Sequence, residues 1–426
     1  MKKESSSCNV NQPDVNKKHK LVKACQRLAS IQGGQSITFK RARKEQQTCE
    51  QVHKETTNRK QHNDRTQQND PINSPYGNCP NVSLRYKKES RIGQGTYGIV
   101  YKAFDTITKK TVALKKCFPH HESSDGFPIT TLREIQILQE LKHDNIVHLK
   151  EVAVSSKQSG VFLVFEFCSF DLANLVDEYY AKHSKSPFTI PETKCLSRQL
   201  LSALTYIHDR CIIHRDLKLS NLLYDKQRGV MKLCDFGLAR RLSKHEYKSS
   251  RKTDNDIHVS ASPHEHLTPK VVSLWYRPPE LLLNSDQYDY GLDLWGVGCV
   301  VAEILLGVPL FKGKSEMHQL SLIVNLLGQP TTQNWPGLED MPLIKEGNCE
   351  LPFRSSFSHH HNKHIHSKLL DKFSHLSSAG IHFFANLLKY DSKARWTAKH
   401  AFQSSWFKES PLATGCEYMP KFPWKN

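Results

Sequence analysis

The stretch HRDLKLSN, residues 214–221, places His214, Arg215, Asp216, Lys218 and Asn221 between the apolar runs CII and LLY. Burying so many polar groups without partners costs on the order of 1–3 kcal/mol each, so they must either satisfy one another or face a ligand. Fourteen residues after Asn221 comes DFGLAR, residues 235–240. Asp216, Asn221 and Asp235 form an oxygen-rich set suited to a hard cation and a hydroxyl substrate, whereas zinc would prefer nitrogen or sulfur.

Upstream elements must position this set. GQGTYGIV, residues 93–100, has the form G-x-G-x-x-G-x-V between two strand-like runs. Alone it is weak, because glycines also mark ordinary hairpins. A dinucleotide-binding turn would be followed by a helix, whereas Ile99, Val100 and Tyr101 continue as strand, which disfavours a Rossmann reading. In TVALKK the two-residue strand period puts Ala113 and Lys115 on one face and Val112 and Leu114 on the other. A lysine beside alanine on a buried face needs an anion. The helical period of ITTLREIQILQEL supplies Glu134, with Leu138 one turn later on the same side. A lone Lys or Glu reads better as a solvated charge. In one order with HRDLKLSN, DFGLAR and WYRPPE, which ends at Glu280, these signals reinforce one another.

The ordered set resembles the eukaryotic protein kinases, whose signature is a glycine-rich loop, a strand lysine, a helix glutamate, H-R-D…N, D-F-G and A-P-E. The resemblance covers residues 86–407. GTYG, FPITTLREI, DFGLAR and TPKVVSLWYRPPE are similar specifically to the cyclin-dependent kinases, with PITTLRE one letter from the PITSLRE type. It implies an α+β, bilobal kinase fold: a small β-rich N-lobe over 86–167 and a larger α-helical C-lobe over 168–407. The implied activity is transfer of the ATP γ-phosphate to Ser/Thr-Pro sites on proteins. A cyclin and an upstream activating kinase are the implied partners. A scaffold lacking catalysis is the alternative, but such chains lose at least one equivalent of Lys115, Asp216, Asn221 or Asp235, and here all stand.

Residue by residue, the resemblance puts Ile92, Gly93, Gly95, Gly98 and Val100 in the loop over the ATP phosphates. Lys115 holds the α- and β-phosphates while paired with Glu134. Adenine is expected between Val100, Ala113 and Leu223, with Phe165 behind it, the hinge backbone at Glu166 and Cys168 beside it, and Asp171 completing the cofactor set. Asn221 and Asp235 are expected to hold Mg²⁺, Asp216 to orient or accept the proton of the substrate hydroxyl, and Lys218 to support the moving phosphoryl group. Cys234 is expected to line the nucleotide pocket. Arg133, Arg215 and Arg240 are expected to converge on phosphorylated Thr268, where phosphate converts repulsion among guanidinium groups into pairing. Phosphate on Thr96 or Tyr97 would crowd ATP, and a cyclin docking on the PITTLRE helix would swing Glu134 towards Lys115. Val271, Val272, Ser273 and Arg277 match the pocket for the residue after the phosphoacceptor. There the arginine takes a valine carbonyl away from a substrate N–H, which proline does not possess. Leu219, Pro279 and Ser392 depart from the usual residues without removing a catalytic charge, and Arg395 is the expected ion-pair partner of Glu280.

Bulk composition fits this reading. The 426 residues are 38% hydrophobic, adequate for ordinary globular cores, with a formal charge of +18. The first 80 residues hold 15 Lys/Arg against 7 Asp/Glu, so the basic excess is densest there. Residues 1–85 read as a disordered basic tail, too poor in aromatics to offset the entropy of ordering. FKRARK within it is a cluster of the nuclear-import or polyanion-binding kind, although such clusters are also common in plain solvated tails; nucleus and/or cytoplasm is the expected location. Nucleic-acid binding by the tail is weakly supported, since no aromatic residues interleave its charges. Twelve cysteines without a C-x-x-C pair fit reduced thiols. No secretory signal is expected after Lys2 and Lys3, and the apolar stretch from Leu292 contains Asp293, Glu303 and Pro309, so it reads as a buried helix and not a membrane span. The polar insertion before Thr268 and SHHHNKHIHS read as solvated loops, and residues 408–426 as a C-terminal extension.

Overall fold

The computed structural model describes residues 79–95, 98–117, 129–155, 160–242, 272–347 and 365–423. Thr96, Tyr97, Thr268 and Val271 lie outside these residues, as do the FKRARK cluster, the insertion before Thr268 and the His-rich loop. The chain divides into two compact units. One contains the described residues up to Ile129 together with Leu149–Phe165, and the other contains Thr130–His148 and the chain from Glu166 onward.

The smaller unit opens with a short helix, α1 (Val82–Arg85), whose N-cap Asn81 accepts from Ser83 N at 3.0 Å. Five strands follow: β1 (Tyr86–Gly95), β2 (Gly98–Asp105), β3 (Thr111–Cys117), β4 (Leu149–Ser155) and β5 (Gly160–Glu166). They form one sheet in the order β1-β2-β3-β5-β4. Its core gathers Val82, Tyr86, Ala103, Val112, Leu114, Ala153, Phe162 and Val164. The tail expected over 1–85 therefore ends too late. Cys79 packs on Val154, Val154 N donates to Pro80 O at 3.0 Å, and Arg85 pairs with Asp105 at 2.9 Å and Glu151 at 3.0 Å. A few apolar residues suffice here because a sheet face already waits for them.

In the larger unit the helices are α2 (Ile129–Glu140, all but its first residue), α3 (Leu172–His183), α4 (Ile190–His208), α5 (Pro279–Leu282), α6 (Gly291–Leu306), α7 (Glu316–Leu327), α8 (Pro342–Lys345), α9 (Ile365–Lys372), α10 (Ser378–Leu387) and α11 (Ala398–Phe402). Small sheets join β6 (Phe170–Asp171), β8 (Leu222–Asp225) and β9 (Val230–Leu233), and separately β7 (Ile212–Ile213) with β10 (Arg240–Arg241). Helix α6 is buried from Gly291 to Ile304, as the apolar stretch predicts, and no described helix is long and apolar enough to cross a membrane. Glu280 and Arg395 form the expected pair, bidentate at 2.7 Å on both oxygens, with the guanidinium 5.1 Å from the Trp295 ring centroid.

The C-terminal extension is a strap over this unit. Lys194 of α4, fully buried, donates from Nζ to Glu409 O at 3.0 Å and Pro411 O at 2.8 Å. Tyr224 Oη donates to Pro420 O at 2.8 Å, and Phe422 sets its ring against Phe170, Phe188 and Tyr224.

Candidate active site

The polar groups of HRDLKLSN largely satisfy one another, and one buried carboxylate organises them. Asp293, fully buried in the first turn of α6, accepts from His214 N at 2.9 Å, Arg215 N at 3.0 Å and His208 Nε2 at 2.9 Å. Burial pushes its carboxyl up, but the His208 bond, the nearby imidazoles and the backbone donors outweigh that and hold it below the ordinary carboxylate range. The two backbone N–H bonds fix Arg215 at φ +67, a left-handed conformation uncommon for a side chain of this size. This turn presents Asp216. Asp216 N donates to His214 Nδ1 at 3.3 Å, so that nitrogen is the acceptor and Nε2 carries the proton donated to Cys234 O at 3.0 Å.

The Asp216 carboxylate is asymmetric. Its Oδ2 accepts from Lys218 Nζ at 2.6 Å and Asn221 Nδ2 at 3.0 Å, while Oδ1 faces the Ser273 hydroxyl at 3.4 Å. One oxygen is held by donors and the other meets a hydroxyl. Asn221 Nδ2 also donates to Asp216 O at 2.8 Å, so its carboxamide oxygen is turned to the opposite side. Asp235 stands at φ 59 and ψ 75, and Cys234 N donates to Asn221 O at 2.9 Å, which ties the two expected cation ligands through backbone. No group of three or more His, Cys, Asp or Glu side chains suited to a metal occurs among the described residues. Two oxygen donors match the needs of Mg²⁺, which dehydrates reluctantly and is held by one or two protein oxygens plus phosphates and water.

Arg215 directs Nε at Leu238 O and Nη1 at Tyr288 Oη, both at 2.7 Å, while Arg240 pairs through its backbone with Ile213 and Arg133 is exposed on α2. Arg277 donates to Val272 O from Nη2 at 3.0 Å and from Nε at 3.3 Å, and Nη1 reaches Glu316 at 2.5 Å. Val272 itself stands at φ +70, strained for a β-branched residue.

In the smaller unit Gly95 pairs with Gly98 in the antiparallel register of β1 and β2. The glycines are not equivalent. A Cβ on Gly98 would come within 2.2 Å of Lys116 O, so the neighbouring strand demands that glycine, whereas one on Gly93 would meet only Val100 Cβ at 3.9 Å. Ile92 is exposed and Val100 half-buried, opposite Lys115 in the sheet register. The expected alternation in β3 is present, but its buried face is reversed. Val112 and Leu114 are fully buried, while Ala113 and Lys115 are half-buried on the other face. The sheet packs its core on the Val112 and Leu114 side.

In the larger unit Glu134 is buried on α2. Glu166 accepts from His148 N at 2.9 Å and Lys232 Nζ at 2.8 Å. Burial, helped by Glu166, pushes the Cys168 thiol up to about 12. Leu223 pairs with Asp171 across β6 and β8. Asp171 is also the N-cap of α3, accepting from Ala173 N at 2.8 Å and Asn174 N at 3.3 Å, a structural duty the sequence reading does not assign. That reading also misses Asp293, His208 and Tyr288. Asp293 stands out in sequence only as a charge inside an apolar helix, which is a signal that it has a buried partner.

The protein kinase domain family matches residues 86–407. Cyclin-dependent kinase 10 of Homo sapiens is 43% identical over 347 residues, covering 82% of this chain and 86% of that protein. Cyclin-dependent kinase G-2 of Oryza sativa subsp. indica is 39% identical over 356 residues, covering 82% of this chain and 45% of that protein. Among solved structures, "Crystal Structure of the yeast RNA Pol II CTD kinase CTDK-1 complex" matches with a TM-score of 0.63 and 32% identity, covering 84% of this chain and 99% of that one. The turn around Asp216 thus sits in a chain that belongs to the protein kinase family and, within it, to the cyclin-dependent serine/threonine kinases.

Proposed function

We propose that this kinase phosphorylates Ser/Thr-Pro sites when bound to a cyclin, with Asp216 as the residue that receives the substrate hydroxyl. The observation that carries this reading is the asymmetric carboxylate: Oδ2 is occupied by Lys218 and Asn221, and Oδ1 meets a hydroxyl at Ser273. An acceptor oriented in this way can hold a Ser/Thr hydroxyl in line for attack and take its proton as the new bond forms. Lys218, bonded to that carboxylate, is placed to offset negative charge on the moving group. ATP would supply the phosphoryl group, with Lys115 and the backbone of Gly93, Gly95 and Gly98 as its phosphate-binding groups. Ile92, Val100, Ala113, Leu223, Glu166, Cys168 and Asp171 would hold the nucleoside. Mg²⁺, held by Asn221 and Asp235, would neutralise phosphate charge.

The Arg277 contact supports proline specificity. With Val272 O already accepting from Arg277, a substrate N–H at the position after the phosphoacceptor would be left without an acceptor. Proline has no such N–H. Leaving a buried N–H unpaired costs about 1–3 kcal/mol, or roughly fivefold to 150-fold in rate. Activation by a cyclin at the PITTLRE helix and by phosphate on Thr268 belongs to the same reading, with Arg133, Arg215 and Arg240 as the phosphate's partners. Thr96 and Tyr97 would be inhibitory sites. The likeness to a kinase of the RNA polymerase II CTD supports a nuclear site of action and CTD peptides as a first substrate. The test is phosphorylation of paired Ser-Pro and Ser-Ala peptides by the full chain copurified with its cyclin. A preference of at least about fivefold for Ser-Pro is expected, and equal rates would refute the specificity.

A further inference from the structure

Independently of the kinase chemistry, α4 and the C-terminal strap bring two thiols to one amide. Gln199 Nε2 lies 3.3 Å from Cys195 Sγ, 3.6 Å from Cys416 Sγ and 3.3 Å from Gly229 O. The other end of that side chain cannot exchange places with it, because Oε1 accepts from Met231 N at 2.7 Å and Asn145 Nδ2 at 2.9 Å. Two amide protons cannot serve three acceptors at once. The two sulfurs can be no further apart than the sum of their distances to the shared nitrogen. Burial first, and then the neighbouring Cys416 thiol, push the Cys195 thiol up to about 11, against the lowering by Gln199.

The strap fixes where Cys416 stands. It begins the short 3₁₀ turn Cys416–Tyr418, and its carbonyl rests so close to Gly229, at φ +62, that a Cβ there would come within 1.9 Å of it. Thr414 N donates to Pro191 O at 3.0 Å, tying the residues just before the turn to the start of α4. Both thiols are free in the structure; Cys195 is buried and Cys416 half-buried.

We propose that Cys195 and Cys416 are a peroxide-sensitive dithiol whose disulfide locks the strap onto α4. Hydrogen peroxide is the oxidant. The Cys416 thiolate, the more accessible sulfur, attacks one peroxide oxygen; the O–O bond breaks, hydroxide leaves and takes up the thiol proton as water, and the sulfur becomes a sulfenic acid. The Cys195 sulfur then attacks the Cys416 sulfur. The S–S bond forms, the S–O bond breaks, and hydroxide leaves as water with the Cys195 proton. Two thiols together give two electrons to one peroxide. Because the Cys195 thiol is hard to deprotonate, the second step accelerates as pH rises. A small dithiol restores both thiols by exchange, giving its two electrons to the Cys195–Cys416 bond and leaving as its own cyclic disulfide. The product ties the strap covalently to the helix while its far end rests Phe422 on Phe170, next to Asp171.

The test uses the full chain, treated with hydrogen peroxide, quenched by alkylation and mapped without reduction. The expected result is a Cys195–Cys416 crosslinked peptide as the main oxidised product. Dithiothreitol should remove it, and both Cys195→Ser and Cys416→Ser should lack it. In Cys195→Ser a sulfenic-acid reagent should label Cys416 and trap the intermediate. Limited proteolysis should release the strap several-fold more slowly from oxidised wild type, with no such change in the two variants. Wild-type Cys416 carried to sulfinic acid without a crosslink, or either cysteine paired mainly with a different one, would overturn the proposal.

Discussion

Asp293→Asn should uncouple the turn that carries Asp216 while changing one heavy atom. In the wild type the carboxylate accepts three bonds, two on Oδ2 and one on Oδ1. The asparagine must put an NH₂ group on one side. The cheaper choice replaces Oδ1, leaving Arg215 N–H opposed by another donor in a buried place, at about 1–3 kcal/mol. The bonds from His214 N and His208 Nε2 lose their charge assistance, about 1 kcal/mol each. Together the substitution should destabilise the larger unit by about 3–5 kcal/mol, lowering the urea midpoint with little change in slope. The Asp293 carboxyl lies below its ordinary value in the folded protein, so its contribution is fully present above the unfolded value of about 4 and is lost as pH falls through the lower folded value. The difference between wild type and variant should therefore be constant from neutral pH down to about 5 and shrink below about 4. Arg215, released from φ +67, would no longer aim Asp216, and kcat should fall more than tenfold at temperatures where the variant is folded. A variant within 1 kcal/mol of wild type and fully active would refute the reasoning.

Other substitutions probe separate parts. Glu303 is buried and receives the Tyr276 hydroxyl at 2.6 Å, and burial pushes its carboxyl up to about 7. The folded chain thus holds that proton longer than the unfolded chain, and stability should fall as pH rises from about 4.5 to 7; Glu303→Gln should remove that slope and raise stability at pH 8 by on the order of 2–3 kcal/mol, read by thermal unfolding at both ends of the range. Arg395→Met leaves Glu280 buried without its bidentate partner and should cost about 3–5 kcal/mol in denaturant unfolding. Arg277→Leu frees Val272 O to accept a substrate N–H, so the ratio of Ser-Pro to Ser-Ala phosphorylation should drop towards unity while activity on Ser-Ala persists.

The turn around Asp216 is legible in sequence because its members are local: Asp216, Lys218 and Asn221 meet within six residues, and Cys234 N binds Asn221 O through the backbone. The Glu280–Arg395 pair is legible only through family resemblance, since 115 residues separate its members. Asp293 escapes for the same reason without that help, its donors lying 78 to 85 residues away. Strand alternation gives the period of β3 but not which face is covered, because burial is decided by what packs on the sheet. Composition averages likewise hide the ordered residues 79–85 inside a polar segment. Backbone strain at Arg215 and Val272 leaves no trace in residue type, as neither is a glycine.

The central claim is that Asp216 receives the substrate hydroxyl. Its most direct test is transfer of labelled γ-phosphate from ATP to a Ser-Pro peptide by the cyclin-bound chain, wild type against Asp216→Asn, with ATP binding measured on both. Loss of a general base predicts a fall of about 10²–10⁴ in kcat with ATP affinity nearly unchanged. A variant that transfers phosphate at the wild-type rate would contradict the account.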